Sequence, residues 1–129
     1  MKALQDNPSD NGVCGKEQLA WLEQDLLAAS LAGKRLAVFG HHNPVDDRWV
    51  FMDDGREDLA RIIGRNGVRY VFAGHRHSDQ LELTETTRVI TTRTVQAAPS
   101  DLVGYRLVRV VNGRVASWRA APPKASDSL

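Results

Sequence analysis

The feature that most constrains the fold is a short motif that the chain contains twice. The stretch from Arg69 to His77 reads RYVFAGHRH, and residues 36–42 read LAVFGHH. In both stretches a run of apolar residues stops at a glycine and is followed by histidine. Short runs that are rich in β-branched and aromatic residues and bounded by glycine favour buried strands over helices. The motif therefore predicts two strands, each buried on both faces, that end in Gly-His.

The histidines that follow these strands are the candidate site residues. Ligands of open α/β sheets bind outside the carboxyl ends of the strands, so His41, His75 and His77 stand where a site would be built. Imidazole is a good ligand for Zn, Mn, Fe, Ni or Co, and three imidazoles from adjacent strand ends can reach a common centre. We therefore predict a divalent metal site with these three ligands. His75 and His77 can point to neighbouring but different positions, which suits two metal ions better than one.

The residues around these histidines have several interpretations. Gly40 and Gly74 are expected to give the backbone room to turn sharply and a ligand room to approach. His42 either faces the substrate, supports a metal ligand from outside, or is simply exposed. The aspartates of the following loop can complete a metal shell, assist catalysis or act as solvated charges; they are Asp46, Asp47, Asp53 and Asp54.

Two amphipathic helices are predicted around the repeated motif. The first runs from Lys16 to Ala32 and stops at Gly33. The second begins at Asp54, which can cap it, and ends at Asn66 and Gly67. Their apolar positions at helical spacing are Leu19, Leu22, Leu26 and Leu27 in the first helix and Leu59, Ile62 and Ile63 in the second. The order helix, strand, long polar loop, helix, strand predicts a parallel βαβ unit.

The remainder of the chain favours antiparallel strands. Gln80 to Glu85 and Thr87 to Arg93 show partial alternation of apolar and polar residues and are separated by a short polar turn. Gly104 to Val111 and Arg114 to Arg119 flank Asn112-Gly113, a strong hairpin signal because both turn residues tolerate positive φ. These strands predict a mixed sheet, and the fold class is therefore α/β with α+β character.

Composition and domain organisation narrow the classes of function. The 17 basic and 16 acidic side chains nearly cancel and form no basic stripe, so neither nucleic acid nor a membrane is expected as a partner. Cys14 is the single cysteine, and the first residues lack an apolar signal sequence, so we predict a cytoplasmic protein. We expect a loop-like segment over residues 1–15, one domain portion over 16–121 and a disordered tail over 122–129.

The two histidine motifs resemble signature motifs of a known family. Gly40-His41 in VFGHHNPVD and Gly74-His75-Arg76-His77 in YVFAGHRH resemble the last two motifs of the calcineurin-like metallophosphoesterases, written G-H and G-H-x-H. The segment GKEQLAWLEQDLLAA is similar to the helix that precedes them, so the resemblance covers about residues 12 to 111. It implies that the chain corresponds to the C-terminal half of a four-layer α/β/β/α sandwich. It also implies that His41 and His75 bind one metal of a binuclear centre and His77 the other.

The resemblance implies a phosphoric ester hydrolase. Its substrate would be a phosphate ester, and similar His-His-x-Pro segments occur in family members that act on phosphodiesters or cyclic nucleotides. The family's first three motifs, D-x-H, G-D-x-x-D and G-N-H-D/E, do not occur in this sequence. They would bring the carboxylate that bridges the two metals and further ligands.

Two other functions therefore remain open. One is a catalytically inactive or self-associating module that forms a homo-oligomer through an exposed sheet edge and apolar surface. The other is a hydrolase with a single zinc ion on His41, His75 and His77.

Overall fold

A computed structural model describes residues 12–45, 52–95 and 103–120 of the chain. This part contains two helices and eight strands. The helices are α1 (Lys16–Leu31) and α2 (Arg56–Arg65). The strands are β1 (Gly12–Val13), β2 (Ala37–Phe39), β3 (Met52–Asp54), β4 (Tyr70–Ala73), β5 (Gln80–Leu83), β6 (Arg88–Thr91), β7 (Tyr105–Val111) and β8 (Arg114–Ala120). The chain is thus a mixed α and β protein, as predicted.

The centre of the fold is a four-stranded mixed sheet. Its strand order is β2-β4-β6-β5, in which β2, β4 and β6 run parallel and β5 is antiparallel to β6. Helix α2 lies between β2 and β4 in the chain, so the predicted parallel βαβ unit is confirmed. The antiparallel pairing predicted after His77 is confirmed in β5 and β6. The register places Phe39 beside Phe72 and Phe72 beside Ile90.

The two helices cover one face of this sheet. Ile62 and Ile63 of α2 pack against Val71 and Val89 of the sheet, and all four side chains are buried. Leu19 and Leu26 of α1 complete this core. Because side chains alternate along a strand, Tyr70 and Phe72 point to the opposite face from Val71. We call that opposite face, with the side chains of Phe39, Tyr70, Phe72, Leu81 and Leu83, the open face.

The strands are less buried than the sequence predicts. Phe39 in β2 is 73 % exposed, and in β4 Val71 is buried while Phe72 is only half-buried. The prediction that both strands are buried on both faces is therefore wrong. The physical reason is that β2 has a single neighbouring strand in the described sheet and that the described helices cover only one face.

The helices begin and end close to the predicted residues, with two differences. Leu27 is exposed, since the buried stripe of α1 follows Leu19 and Leu26. Helix α2 begins after Gly55, which has φ 77° and makes no side-chain capping bond, so the predicted cap at Asp54 is wrong. Asp54 instead belongs to strand β3. Neither described helix is long and apolar enough to cross a lipid bilayer.

Two predicted loops contain short strands. Gly12–Val13 forms β1, which pairs in parallel with β3 at Met52–Asp54. The loop predictions for these residues are therefore wrong, because each strand pairs with residues about forty positions away, which a local pattern does not reveal. The remainder of the predicted N-terminal loop at residues 1–11, the loop residues 46–51 and the predicted tail at 122–129 lie outside the described residues.

Strands β7 and β8 form the predicted hairpin. Asn112 and Gly113 have φ values of 49° and 70°, as a two-residue turn of this type requires. Tyr105 and Val108 of β7 line one cavity with Phe39 and Phe72 of the open face. The first residues of the hairpin are attached where the Gly104 N–H donates to the carbonyl oxygen of Thr94 (2.9 Å), and its tip is attached by a hydrogen bond from Arg35 to the carbonyl oxygen of Gly113.

Candidate metal centre

The pairing of β2 with β4 continues beyond the ends of both strands. The N–H of Gly40 donates to the carbonyl oxygen of Phe72 (3.0 Å), and the N–H of Gly74 donates to that of His41 (2.9 Å). These bonds place His41 beside Gly74, directly before His75. The two Gly-His motifs therefore meet at one edge of the sheet, where the sequence predicts them to meet.

Three imidazoles come together at this edge. Nε2 of His41 lies 3.1 Å from Nδ1 of His75. The ring of His42 lies close to both, with centroid distances of 4.5 Å to His75 and 4.9 Å to His41. One nitrogen atom of each ring lies within 4.8 Å of the corresponding atoms of the other two. We call His41, His42 and His75 the histidine cluster.

The cluster differs in one member from the predicted ligand set. His77 is not part of it, although His77 lines the same cavity as His41 and His75. The third member of the cluster is instead His42. The three predicted ligands are thus on one side of the molecule, but the structure brings only His41 and His75 into the same cluster.

The backbone explains the placement of His75 and His77. Both residues have positive φ, 64° and 52°, whereas Gly40 and Gly74 do not. A Cβ atom at Gly74 would meet nothing closer than Nδ1 of His41 at 3.6 Å, which is an ordinary contact. The expectation that these glycines provide the sharp turn is therefore wrong. The histidines themselves adopt the left-handed conformation, which costs most residues roughly 1–2 kcal/mol and is concentrated at functional sites.

The electrostatic environment favours neutral imidazole at His41. Desolvation lowers the pKa of His41, and the nearby His42 and His77 lower that pKa further because each can carry a positive charge. Neutral imidazole is the form that binds metal ions.

The histidine cluster fits one divalent metal ion. Two nitrogen ligands of a tetrahedral zinc ion lie about 3.3 Å apart, close to the 3.1 Å between His41 and His75. Imidazole ligands suit Zn, Mn, Fe, Ni or Co. Among the described residues no carboxylate joins the cluster, since Asp54 is exposed in β3 and is not a member. Asp46 and Asp47 lie outside the described residues, as does the side chain of Asp53.

Asn43 is a supporting residue that the sequence analysis missed. Its side chain is buried, and its Nδ2 donates to Oε2 of Glu82 (3.0 Å) and to Oγ1 of Thr91 (3.3 Å). Its Oδ1 accepts a hydrogen bond from the N–H of Val45 (2.9 Å). These bonds fix the backbone directly after His42. The Asn-Pro pair marks a turn in the sequence, but no local signal indicates partners in β5 and β6.

Asp79 is a second residue near the site that the sequence analysis did not identify. Its carboxylate contacts three guanidinium groups: Nε of Arg93 at 2.7 Å, Nη2 of Arg106 at 3.6 Å and Nη1 of Arg119 at 3.4 Å. Burial would raise the pKa of Asp79, but the hydrogen bonds and charge of Arg93 and the hydrogen bond of Arg119 lower it below its usual value. One carboxylate among three guanidinium groups leaves a positive local charge.

A cavity of about 400 Å³ lies between the open face of the sheet and strand β7. His41, His75 and His77 line it at the edge where the histidine cluster is located, and Arg93 and Arg106 also line it. Its apolar lining includes Phe39, Phe72, Tyr105 and Val108. The edge that carries the histidine cluster therefore opens into a space large enough for a small organic molecule.

Comparison with known proteins adds no identification. No family model matches the chain, and no curated protein matches it. A function is therefore inferred from the chemistry of the residues at the site.

Proposed function

We propose that the chain is a metal-dependent phosphoric ester hydrolase of the calcineurin-like type, acting on a phosphomonoester or a phosphodiester. The observation that supports this most strongly is the pair His41 and His75, whose ring nitrogens lie 3.1 Å apart after two adjacent parallel strands. Two imidazoles in this arrangement favour metal binding, and the motifs that carry them resemble those of that family.

The residues around the cluster suit phosphate ester chemistry. The chemistry that a bound divalent metal would supply is polarisation of a phosphoryl oxygen and a lowered pKa of a water molecule. His41, His42 and His75 would hold the ion in its neutral-imidazole ligand shell. His77, on the cavity wall, adds an imidazole either for a second ion or for proton transfer to the leaving oxygen. Arg93 and Arg106 attract the negative charge of the substrate.

A binuclear centre needs carboxylate ligands in addition to these histidines. Three neutral imidazoles compensate none of the charge of two dications, and the described residues bring no carboxylate to the cluster. Carboxylates of this chain whose side chains lie outside the described part, such as Asp46, Asp47 and Asp53, or a second polypeptide would have to supply them. The number of metal ions bound per chain is therefore the first quantity to measure.

The experiment combines metal analysis with an activity assay. Elemental analysis for Mn, Fe, Ni, Co and Zn is compared with turnover of the monoester p-nitrophenyl phosphate and the diester bis(p-nitrophenyl) phosphate for the wild type, His75→Ala and His77→Ala. Gln24→Ala serves as a control because Gln24 is exposed on α1, away from the cluster. We expect His75→Ala to lose both metal and turnover and Gln24→Ala to retain both.

The stoichiometry distinguishes the open possibilities. About two ions per chain, one of them lost in His77→Ala, would support the binuclear centre. One zinc ion with turnover that survives His77→Ala would support a mononuclear site on the histidine cluster. Turnover that persists in His75→Ala, or an absence of turnover with every metal, would contradict the proposed hydrolase.

A second candidate function is a self-associating module. Leu81 and Leu83 on the open face are 61 % and 67 % exposed, and Leu107 and Trp118, which face each other across the hairpin, are also exposed. Strand β2 also has a free edge within the described sheet. Exposed apolar patches and free sheet edges favour association, and the occupant proposed here is a second copy of the chain.

Light scattering after size-exclusion chromatography tests this candidate. The wild type is expected to have the mass of a dimer or larger assembly, and Trp118→Lys is expected to shift it to the monomer. Gln24→Lys adds the same charge on an exposed helical face and should leave the mass unchanged. A monomeric wild type would exclude this function.

A further inference from the structure

The cavity beside the histidine cluster is lined by two chemically different sets of residues. At the carboxyl edge of the sheet it is lined by imidazoles and guanidinium groups, including His75 and Arg93. The apolar side chains of Phe39, at the carboxyl end of β2, and of Phe72 and Val108 also line it. A ligand that fills it therefore needs a polar, anionic part and an apolar part.

The apolar wall of the cavity includes the stacked aromatic rings of Phe39 and Phe72. Phe39 and Phe72 are stacked with their centroids 5.0 Å apart and their planes 17° apart. Tyr70, which does not line the cavity, continues the stack at 6.3 Å from Phe72. Phe39 is 73 % exposed, so much of its ring is available for contact. Phe39 precedes His41 by two residues. Phe39 is the last residue of β2, and Phe39 and His41 line the same cavity, so the ring lies beside the histidine cluster.

The polar part of the lining carries excess positive charge. Within the group around Asp79, one carboxylate contacts three guanidinium groups, and two of these, from Arg93 and Arg106, line the cavity. Arg93 follows β6 at the same edge of the sheet at which His41 follows β2 and His75 follows β4. Neighbouring strands are about 4.8 Å apart, so this edge presents a row of cationic and imidazole groups on the scale of one phosphate.

The size of the cavity limits the ligand. A volume of about 400 Å³ lies in the lower part of the range for small-molecule sites, which is roughly 300–1,000 Å³. One small organic group with its phosphate fits this volume, whereas a polymer does not.

We propose that this cavity binds a phosphate ester whose alcohol carries a planar aromatic ring. The ring lies against Phe39, and the phosphate lies between the histidine cluster and Arg93. This names a substrate class for the proposed hydrolase, and it rests on the proposed function for the reaction. The contact with the ring depends only on the cavity.

The test compares two anions that differ in the ring. Phenylphosphonate and methylphosphonate carry the same charged group at alkaline pH, where both are dianions, and neither is an ester that the protein can hydrolyse. Their dissociation constants are measured by calorimetry on the full chain, once with Zn²⁺ and once with a chelator. We expect phenylphosphonate to bind about tenfold more tightly in both conditions, because a favourable aromatic contact and apolar burial contribute about 1–1.5 kcal/mol.

Two variants test whether the ring of Phe39 causes the preference for phenylphosphonate over methylphosphonate. Phe39→Leu keeps an apolar side chain and removes the ring, and it should reduce the preference to about twofold or less. Leu81→Ala is the matched control, because Leu81 is also exposed on the open face but lies on β5 at the opposite edge and does not line the cavity. It should keep the wild-type preference. Circular dichroism of both variants verifies that they are folded.

The outcomes separate this proposal from the proposed function. Equal affinities of the wild type for both anions, a preference that persists in Phe39→Leu, or no binding of either anion would each overturn the aromatic cavity. An aromatic preference in a protein that turns over neither p-nitrophenyl phosphate nor bis(p-nitrophenyl) phosphate would instead overturn the hydrolase, while the proposed ligand class would still hold.

Discussion

The backbone of Gly12 lies directly against the imidazole of His42. A Cβ atom at residue 12 would lie 2.6 Å from Nδ1 of that ring and 3.1 Å from its Cγ. Packed carbon atoms need about 3.5 Å or more, so the ring keeps this position only beside glycine. Strand β1 thus supports the third member of the histidine cluster from a position thirty residues earlier in the chain.

Replacing Gly12 by alanine should weaken metal binding at the histidine cluster. The added methyl group displaces the His42 ring, which can rotate about its side-chain bonds, while the backbone of β1 retains its pairing with β3. We expect about tenfold lower affinity for Zn²⁺, the lower end of the effect of disturbing groups that orient a ligand. Competition with a chromophoric chelator measures this affinity.

Gly15→Ala is the control for that experiment, since a Cβ atom at Gly15 would meet nothing within 4 Å. It should bind Zn²⁺ with the wild-type affinity. Wild-type affinity in a folded Gly12→Ala protein would show that His42 does not contribute to the metal site.

Gly55 should be among the least replaceable residues of the fold. It has φ 77°, and a Cβ atom there would overlap the carbonyl oxygen of Cys14. Gly67 has φ 70° but open space around it, so Gly67→Ala reports the cost of the backbone conformation alone. We expect a loss of about 1 kcal/mol for Gly67→Ala and at least about 2 kcal/mol more for Gly55→Ala, as for other severe clashes.

Urea denaturation gives both free energies of unfolding. Equal losses for Gly55→Ala and Gly67→Ala would show that the chain between β3 and α2 moves away from Cys14 without cost.

The parts of the fold that could be predicted depend on local chemistry. Asn112 and Gly113 indicate a hairpin because few residues accept positive φ in succession, and the hairpin is present. The apolar spacing of Ile62 and Ile63 indicates a helix face, and both side chains are buried. The placement of His41 beside His75 followed from the rule that adjacent parallel strands end at one edge.

The parts that could not be predicted depend on contacts between distant residues. One example is the choice between His42 and His77 as the third member of the cluster. It depends on the left-handed backbone of His77 and on the close contact between Gly12 and the His42 ring. The sequence contains no periodic signal for either. The exposure of Phe39 likewise depends on which elements cover the open face, which the composition of a strand does not reveal.

The left-handed conformation of His77 should be measurable as strain. Glycine adopts positive φ without the penalty that a Cβ atom causes, so His77→Gly should be about 1 kcal/mol more stable than His77→Ala. Arg76 does not have positive φ, and there the order should be reversed, with Arg76→Gly less stable than Arg76→Ala by about 0.5–1 kcal/mol. Urea denaturation of the four variants tests this. The same order at both positions would contradict the left-handed conformation of His77.

Asp79 should make the stability of the fold depend on acid pH. Its pKa lies below the usual value, because the hydrogen bonds and charge of Arg93 and the hydrogen bond of Arg119 outweigh the effect of burial. The folded chain therefore binds this proton at lower pH than the unfolded chain does. The stabilisation by Asp79 is complete above the unfolded pKa of about 3.9 and is lost as the pH falls through the lower folded value.

Replacing Asp79 by asparagine should remove this dependence. Asp79→Asn is expected to lower the free energy of unfolding by about 2 kcal/mol at neutral pH, since hydrogen bonds to charged groups are lost. Its stability should then fall less steeply than that of the wild type below about pH 4. Glu85→Gln, in the exposed turn between β5 and β6, is the matched control and should follow the wild-type curve. Parallel curves for the wild type and Asp79→Asn would mean that the three arginines do not stabilise the Asp79 carboxylate, and the hairpin would then be held to the sheet by its other contacts.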